Sequence, residues 1–246
     1  MSNAELLHGL GYVWTFFGAY WMSFNVLRHD RGDPKNRRWK FAFLAVMFVV
    51  LFAGRNVIPP ALILVLAVVW TALGLYWGAP SEAAQSGEFR WYRGVRLLVL
   101  AAVFALLFWN ATAVGVLGRR FVPDLPALGI VGFSAALCGM FVTLWSRMAL
   151  GRYWSDKVIL QSEHKLIRSG PYSCMRHPLY SGVLLAVLGT ALVLGEMRGL
   201  VSLAILLANY AIKANREERI LAERFGPEFV DHVRRTGFLW PRLRLR

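Results

Sequence analysis

The chain has 246 residues, of which 57% are hydrophobic and only 17% are charged, whereas about a quarter of the residues of a soluble globular protein are charged. The apolar residues form long continuous blocks, without the alternation of a barrel strand or the single stripe of a surface helix. These features argue against a disordered chain, a soluble enzyme and an outer-membrane barrel. They predict an all-α, polytopic integral membrane bundle.

Seven apolar blocks are predicted to be helices that cross a hydrocarbon core about 30 Å thick. The second and third blocks are separated by only Arg55-Asn56, and the last two meet at a short turn that begins at Gly195. Each of these pairs is expected to form a helical hairpin, and its members are short enough to be tilted or incomplete spans. The blocks cover residues 6–27, 39–54, 57–77, 95–117, 126–147, 178–195 and 199–213.

The chain is strongly basic, with 28 Lys and Arg residues against 14 Asp and Glu residues and a formal net charge of +14. Alternating the loops between the two sides of a membrane leaves only Arg55, Arg119, Arg120 and Arg198 on one side. The positive-inside rule makes the other side cytoplasmic, so the N-terminus is expected outside and the C-terminus inside an inner or plasma membrane. The expected partner of this charge is the lipid bilayer, including its anionic headgroups, and not nucleic acid.

Polar residues collect between the fifth and sixth blocks. Gly170-Pro171 is a turn dipeptide, and Pro178 is typical of the first turn of a helix, where its missing N–H is harmless. Arg176 and His177 would then lie at a helix N-terminus, which favours an anionic ligand. The alternative is that both residues snorkel to the membrane interface, with Tyr180 in an aromatic belt.

The tail after the seventh block reads as a helix, a Gly226-Pro227 break and a second helix. Glu217 and Glu218 lie at the cytoplasmic end of the seventh block. They are either members of ion pairs along a solvated helix face or functional carboxylates at the end of a span. The two cysteines, Cys138 and Cys174, have neither a disulfide pattern nor a metal-site spacing, so no metal is expected.

Together, the motifs in these segments resemble those of the isoprenylcysteine carboxyl methyltransferase family, with its bacterial relatives and the phospholipid methyltransferases. The resemblance covers roughly residues 126–241. The motifs are Leu166…Ser169-Gly170-Pro171-Tyr172, Arg176-His177-Pro178-Leu179-Tyr180-Ser181-Gly182, Glu217-Glu218…Leu221…Phe225-Gly226…Phe229, and Pro241.

The resemblance implies a membrane methyltransferase that uses S-adenosylmethionine and needs no metal. The apolar blocks assign about three spans to residues 1–94, and the methyltransferase core is expected at 95–246, with a cofactor loop at 150–180 and C-terminal helices at 213–236. The resemblance also implies catalytic roles for Arg176, Glu217 and Glu218. The implied cofactor-binding residues are His164, Leu166, Gly170, Pro171, Tyr172, His177, Pro178, Tyr180 and Glu217.

The methyl acceptor stays open at this point, between a prenylated-cysteine carboxylate, a small thiol, and a lipid amine or phenol. Arg176 would orient a carboxylate, whereas a thiol or an amine would need Glu217 or Glu218 as a base. Two other classes of function remain. One is an NADPH-dependent membrane sterol or steroid reductase, and the other is a non-enzymatic membrane transporter or scaffold.

Overall fold

A computed structural model describes residues 2–29, 90–150 and 166–242 of the chain. The described residues are helical, with two isolated β-bridges and no strand among them. There are six α-helices, and single 3-10 turns lie at Asn110–Thr112 and Gly170–Ser173. The α-helices are α1 Asn3–His29, α2 Arg90–Phe108, α3 Pro126–Leu150, α4 Pro178–Leu194, α5 Met197–Phe225 and α6 Pro227–Arg235.

The all-α prediction is confirmed for the described residues, and each of the five predicted blocks that lies there corresponds to a helix. Two of these helices, α3 and α5, are long and apolar enough to cross a membrane, so the count of seven spans is not confirmed. The blocks predicted at 39–54 and 57–77 lie outside the described residues.

The helix boundaries correct the prediction in two places. The fourth block was expected at 95–117, but α2 begins at Arg90 and ends at Phe108. The last block was expected to end at 213, with a separate helix after it, but α5 continues without a break to Phe225. Glycine and proline are absent between Leu200 and Phe225, so nothing in the sequence interrupts the helix before Gly226.

Helices α3 and α4 meet at a glycine seam, formed by Gly132 and Gly139 of α3 with Gly182 and Gly189 of α4. A Cβ on Gly139 would overlap backbone atoms of α4, and a Cβ on Gly189 would overlap backbone atoms of α3. Small residues of this kind let two helix backbones approach closely, which is the usual way that helices pack where water supplies little driving force.

The remaining helices pack around this pair. The indole Nε1 of Trp14 in α1 donates a buried hydrogen bond of 3.0 Å to Oγ1 of Thr190 in α4. Helix α2 packs against α5, where Val103, Leu107 and Leu206 are at most 1% exposed. The helices α4 and α5 form the predicted hairpin, because Gly195 closes α4 in a left-handed conformation with φ of 72°.

The turn of this hairpin is fixed by Arg198, which is only 2% exposed. Its Nε lies 2.7 Å from Oε2 of Glu196, and its Nη1 donates to the carbonyl oxygen of Trp109 at 2.9 Å. Arg198 therefore joins the start of α5 to the end of α2. The polar cluster described next lies near the opposite end of α5.

Candidate active site

The entry into α4 presents Arg176 and His177 at the start of that helix. The 3-10 turn before it opens at Gly170 with a φ of 60°, a left-handed conformation that glycine adopts at little cost. His177 immediately precedes the helix, and Pro178 is its first residue. The predicted turn and the predicted first-turn proline are both present.

Glu218 of α5 contacts both of these residues. Its Oε1 accepts hydrogen bonds from Nε of Arg176 at 2.6 Å and from Nε2 of His177 at 3.1 Å. The side chains are 12% exposed for Arg176, 20% for Glu218 and 6% for His177. The sheltered carboxylate therefore ties the start of α4 to the end of α5 through charge-assisted hydrogen bonds.

Glu217, the neighbouring residue, has a different set of partners. Its Oε1 accepts a hydrogen bond of 2.7 Å from the hydroxyl of Tyr180. The same oxygen lies 3.9 Å from Nζ of Lys213, and Oε2 lies 3.7 Å from Nδ1 of His177. The two glutamates thus differ in their surroundings: Glu218 is held by a guanidinium, whereas Glu217 is held by a phenol.

Aromatic rings form a column beside these carboxylates. The His177 and Tyr180 rings stack with centroids 5.5 Å apart and planes 8° apart. Tyr180 also stacks on Tyr210 of α5, with a centroid distance of 4.7 Å. Nζ of Lys213 lies 5.5 Å from the centroid of the Tyr180 ring, within the range of a cation–π contact.

Tyr172 lies in the 3-10 turn and is buried. Burial raises the pKa of its phenol well above the usual range, and the negative charge of Glu217 adds to the increase, while the guanidinium of Arg147 opposes it. Tyr172 therefore stays a neutral phenol. Arg147, at the C-terminal end of α3, is 2% exposed.

The predicted site residues divide into two groups. Hydrogen bonds and ion pairs bring Arg176, His177, Tyr180, Glu217 and Glu218 into one cluster. The other predicted cofactor-binding residues that are described lie on the segment before α4 or, for Pro178, at the first position of α4. These residues are Leu166, Gly170, Pro171, Tyr172 and Pro178. His164 lies outside the described residues.

Several residues beside the cluster were not predicted. Lys213 was interpreted only as part of the cytoplasmic charge, although its position four residues before Glu217 places both on one helix face. Tyr210 lies one turn before Lys213 on α5. Phe238 lies in the segment Gly237-Phe238-Leu239, whose apolar character after a charged helix was the available signal. Over residues 2–29, 90–150 and 166–242, no group of three or more His, Cys, Asp or Glu side chains could hold a metal ion.

Comparisons with known proteins give relatives for the same part of the chain. A model of the phospholipid methyltransferase family matches residues 128–228. The chain is 34% identical over 156 residues to a cobalt-zinc-cadmium resistance protein of Cupriavidus metallidurans, covering 61% of this chain and 63% of that protein. It is 28% identical over 108 residues to protein-S-isoprenylcysteine O-methyltransferase B of Arabidopsis thaliana, covering 43% of this chain and 55% of that protein.

A solved structure of a eukaryotic intramembrane Ras methyltransferase aligns over 98% of both chains, at 17% identity and a TM-score of 0.48, which is too low to establish a shared fold. The chain covers 48–63% of the length of the first three curated relatives that it matches. The family prediction made from the motifs is confirmed by the matched segment, which contains all five clustered residues. Residues 128–228 thus match the phospholipid methyltransferase family, and the relatives that the chain resembles include proteins named as protein-S-isoprenylcysteine O-methyltransferases.

Proposed function

We propose that the protein is an S-adenosylmethionine-dependent methyltransferase embedded in a membrane. The observation that carries this proposal is the cluster in which Arg176, His177 and Tyr180 meet Glu217 and Glu218, because it lies within the segment that matches the family model. Relatives named as protein-S-isoprenylcysteine O-methyltransferases support the same activity.

The chemistry of the cluster fits the proposed cosubstrate, which carries a sulfonium, an ammonium group, a carboxylate and an aromatic base. Glu217 is 22% exposed and can meet a cation, and the stacked rings of His177, Tyr180 and Tyr210 offer surfaces that attract cations and aromatic bases. We propose that the binding residues are His164, Leu166, Gly170, Pro171, Tyr172, His177, Pro178, Tyr180 and Glu217.

Few polar groups are needed for this chemistry. Bound S-adenosylmethionine would supply a methyl group on an already activated sulfonium, so that a bond from the acceptor to the methyl carbon forms as the carbon–sulfur bond breaks. The protein chiefly has to align the two reactants and exclude water. The burial of His177 and Tyr180, at 6% and 8% exposed, is consistent with a sheltered site.

Arg176 is the residue that we assign to the acceptor. Its described hydrogen bonds use the side-chain atoms Nε and Nη1, which leaves Nη2 to hold an acceptor carboxylate, the group that guanidinium binds best. Glu218 would fix Arg176 and His177 in place. Glu217, which accepts a hydrogen bond from the Tyr180 hydroxyl, is the better candidate to take a proton from a thiol or an amine. The guanidinium favours a carboxylate acceptor, such as that of a prenylated cysteine.

We propose that α3 and α5 cross the membrane, with the cluster near its cytoplasmic face and the C-terminus in the cytoplasm. The basic residues support this orientation, because most of those after α3 lie on the same side as Arg176 in the alternating arrangement. A lipophilic acceptor would then reach the cluster laterally from the bilayer. The division into an N-terminal part, 1–94, and a methyltransferase core, 95–246, belongs to the same proposal.

The test is calorimetric titration of the detergent-purified protein with S-adenosylhomocysteine and, separately, with NADPH. We expect binding of S-adenosylhomocysteine alone, weakened in Tyr180→Ala, because that change removes the hydrogen bond to Glu217 and two ring stacks. Binding of NADPH alone would favour a reductase, and binding of neither ligand would favour a transporter or scaffold.

The acceptor class is tested with radiolabelled S-adenosylmethionine and either N-acetyl-S-farnesylcysteine or a small thiol. A methyl ester releases its label as methanol in base, whereas a methyl thioether does not. Base-labile product from the farnesylcysteine is the expected result. Base-stable product from the thiol would move the proposal to a thiol methyltransferase.

A further inference from the structure

The C-terminal strap, residues 236–242, follows α6 and returns to the start of α4. The amide of Gly237 donates to the carbonyl oxygen of Cys174 at 3.0 Å, and the amide of Arg176 donates to the carbonyl oxygen of Gly237 at 2.8 Å. The amide of His177 donates in turn to the carbonyl oxygen of Phe238 at 3.2 Å. The backbone of the strap therefore pairs with the backbone of Arg176 and His177, the two residues that contact Glu218.

The strap also contacts the side chains of these two residues. Nη1 of Arg176 donates to the carbonyl oxygen of Thr236 at 2.8 Å, and Cζ of Arg176 lies 5.5 Å from the centroid of the Phe238 ring. The His177 ring meets the Phe238 ring edge to face, with a centroid distance of 5.3 Å and an interplanar angle of 78°. One aromatic ring thus touches both the guanidinium and the imidazole.

Neighbouring contacts keep Phe238 in this position. Leu239 is 7% exposed in the core, and its carbonyl oxygen accepts a hydrogen bond from Oγ of Ser181 in α4. A Cβ on Gly237 would overlap the carbonyl oxygen of Trp240, so the tight path of the strap requires glycine there. In contrast, the side chain of Trp240 is 75% exposed.

We propose that Phe238 is a positioning residue for the methyl-transfer site, which it serves by holding the Arg176 guanidinium and the His177 imidazole. The inference rests on the proposed function and adds a part of the chain that the sequence motifs did not single out. Glu218 contacts the guanidinium and the imidazole from the α5 side, and the Phe238 ring contacts both from the strap side. A flat ring suits this task because its face attracts a guanidinium while its neighbouring surface packs against an imidazole.

The test compares three strap variants in detergent. Phe238→Leu keeps an apolar side chain but loses the ring, Phe238→Tyr keeps the ring, and Trp240→Leu is the matched control, because it removes an exposed aromatic residue from the same strap. We expect the Phe238→Leu variant to bind S-adenosylhomocysteine about tenfold more weakly, the size of a partly desolvated cation–π or aromatic contact. The other two variants should bind within about twofold of the original protein.

A double-mutant cycle with His177→Ala separates positioning from a merely structural role. If Phe238 acts through His177, then Phe238→Leu should have no further effect on S-adenosylhomocysteine affinity in the His177→Ala background. Additive effects, or unchanged affinity in folded Phe238→Leu, would overturn the positioning role alone. Absence of binding by the original protein would overturn the proposed function as well.

Discussion

Nε of Arg176 lies 2.6 Å from Oε1 of Glu218, although 42 positions separate the two residues in the sequence. The pair joins the turn before α4 to the C-terminal turns of α5, and both side chains are largely sheltered from water. Because Glu218 also accepts from His177, a single carboxylate determines the position of two residues that we assign to the site.

Replacing Glu218 by glutamine should therefore damage both activity and stability. Glu218→Gln keeps an acceptor oxygen but removes the charge, which leaves a sheltered guanidinium without its counter-ion. We expect methyl transfer to fall by about 100-fold and the free energy of unfolding to fall by about 2 kcal/mol. Radiolabel transfer and thermal unfolding measure the two effects.

Glu223→Gln is the matched control, since Glu223 is an exposed residue of the same helix and its replacement should leave both quantities nearly unchanged. Wild-type activity in Glu218→Gln would remove this residue from the site.

Replacing Tyr180 by phenylalanine should separate the hydroxyl from the ring. The Tyr180→Phe variant keeps the stacks on His177 and Tyr210 but loses the hydrogen bond to Glu217. A charge-assisted hydrogen bond contributes about 1.5–3 kcal/mol, so we expect affinity for S-adenosylhomocysteine to fall by about 10- to 100-fold. Titration calorimetry gives the value. If Tyr180→Phe and Tyr180→Ala were equally weak, the ring would contribute nothing, contrary to the stacked column.

Stability should depend on pH through His232 of α6. Burial lowers the pKa of His232, which is 5% exposed, and the charges of Arg168 and Arg176 lower it further, while Asp231 and Glu218 oppose the shift. Between the folded pKa and the ordinary value of 6.5, the unfolded chain binds more protons than the folded one. The free energy of unfolding should therefore fall as the pH is lowered through this interval.

Denaturant unfolding at several pH values measures the effect. His232→Leu should flatten the dependence, whereas His8→Leu, which removes an exposed histidine of α1, should not. An unchanged slope in His232→Leu would assign the pH dependence to another group.

The glycine seam should not accept even a methyl group. Gly139→Ala places a Cβ against the backbone nitrogen of Ala186 and the carbonyl oxygen of Gly182, so α3 and α4 have to move apart. Overpacking of this kind costs about 1–3 kcal/mol, which thermal unfolding in detergent should detect.

Gly18→Ala is the control for this change. Gly18 lies in α1, and no described atom lies within 4 Å of a Cβ built there. This variant should be neutral or slightly more stable, because alanine favours a helix by about 0.5–1 kcal/mol over glycine. Equal loss of stability in both variants would argue against a specific seam.

The sequence predicts the helical class well, because a long apolar block in a membrane can satisfy its backbone hydrogen bonds within the segment only as a helix. The sequence predicts accurately where α3 and α4 begin and where α4 ends, since Pro126 and Pro178 mark the two starts and Gly195 marks the end. It fails at the end of the last block, where a fall in hydropathy was interpreted as the end of a helix. The backbone of α5 continues through Lys213 because charged residues such as Arg, Lys and Glu are good helix formers once outside the apolar layer.

The site is predicted as far as local motifs extend. Arg176, His177, Tyr180, Glu217 and Glu218 follow from the family motifs, and the structure brings them into contact. The alternative in which Arg176 and His177 snorkel to the interface does not fit their low exposure and shared carboxylate. Phe238 was missed because the apolar residues after α6 indicate burial but do not indicate that the chain returns to the start of α4.

Because α5 is one continuous helix, it limits which insertions and deletions the protein can tolerate. Arg198 fixes the beginning of this helix to the end of α2, and Glu217 lies 19 residues later, about 28 Å along the axis at 1.5 Å per residue. Each residue also turns the helix by about 100°. Exchanging apolar residues between these points preserves the direction of the glutamates, whereas inserting or deleting one residue would swing them away from Arg176 and Tyr180. For the apolar residues of this stretch, their number therefore matters more than their identity, both in evolution and in engineering.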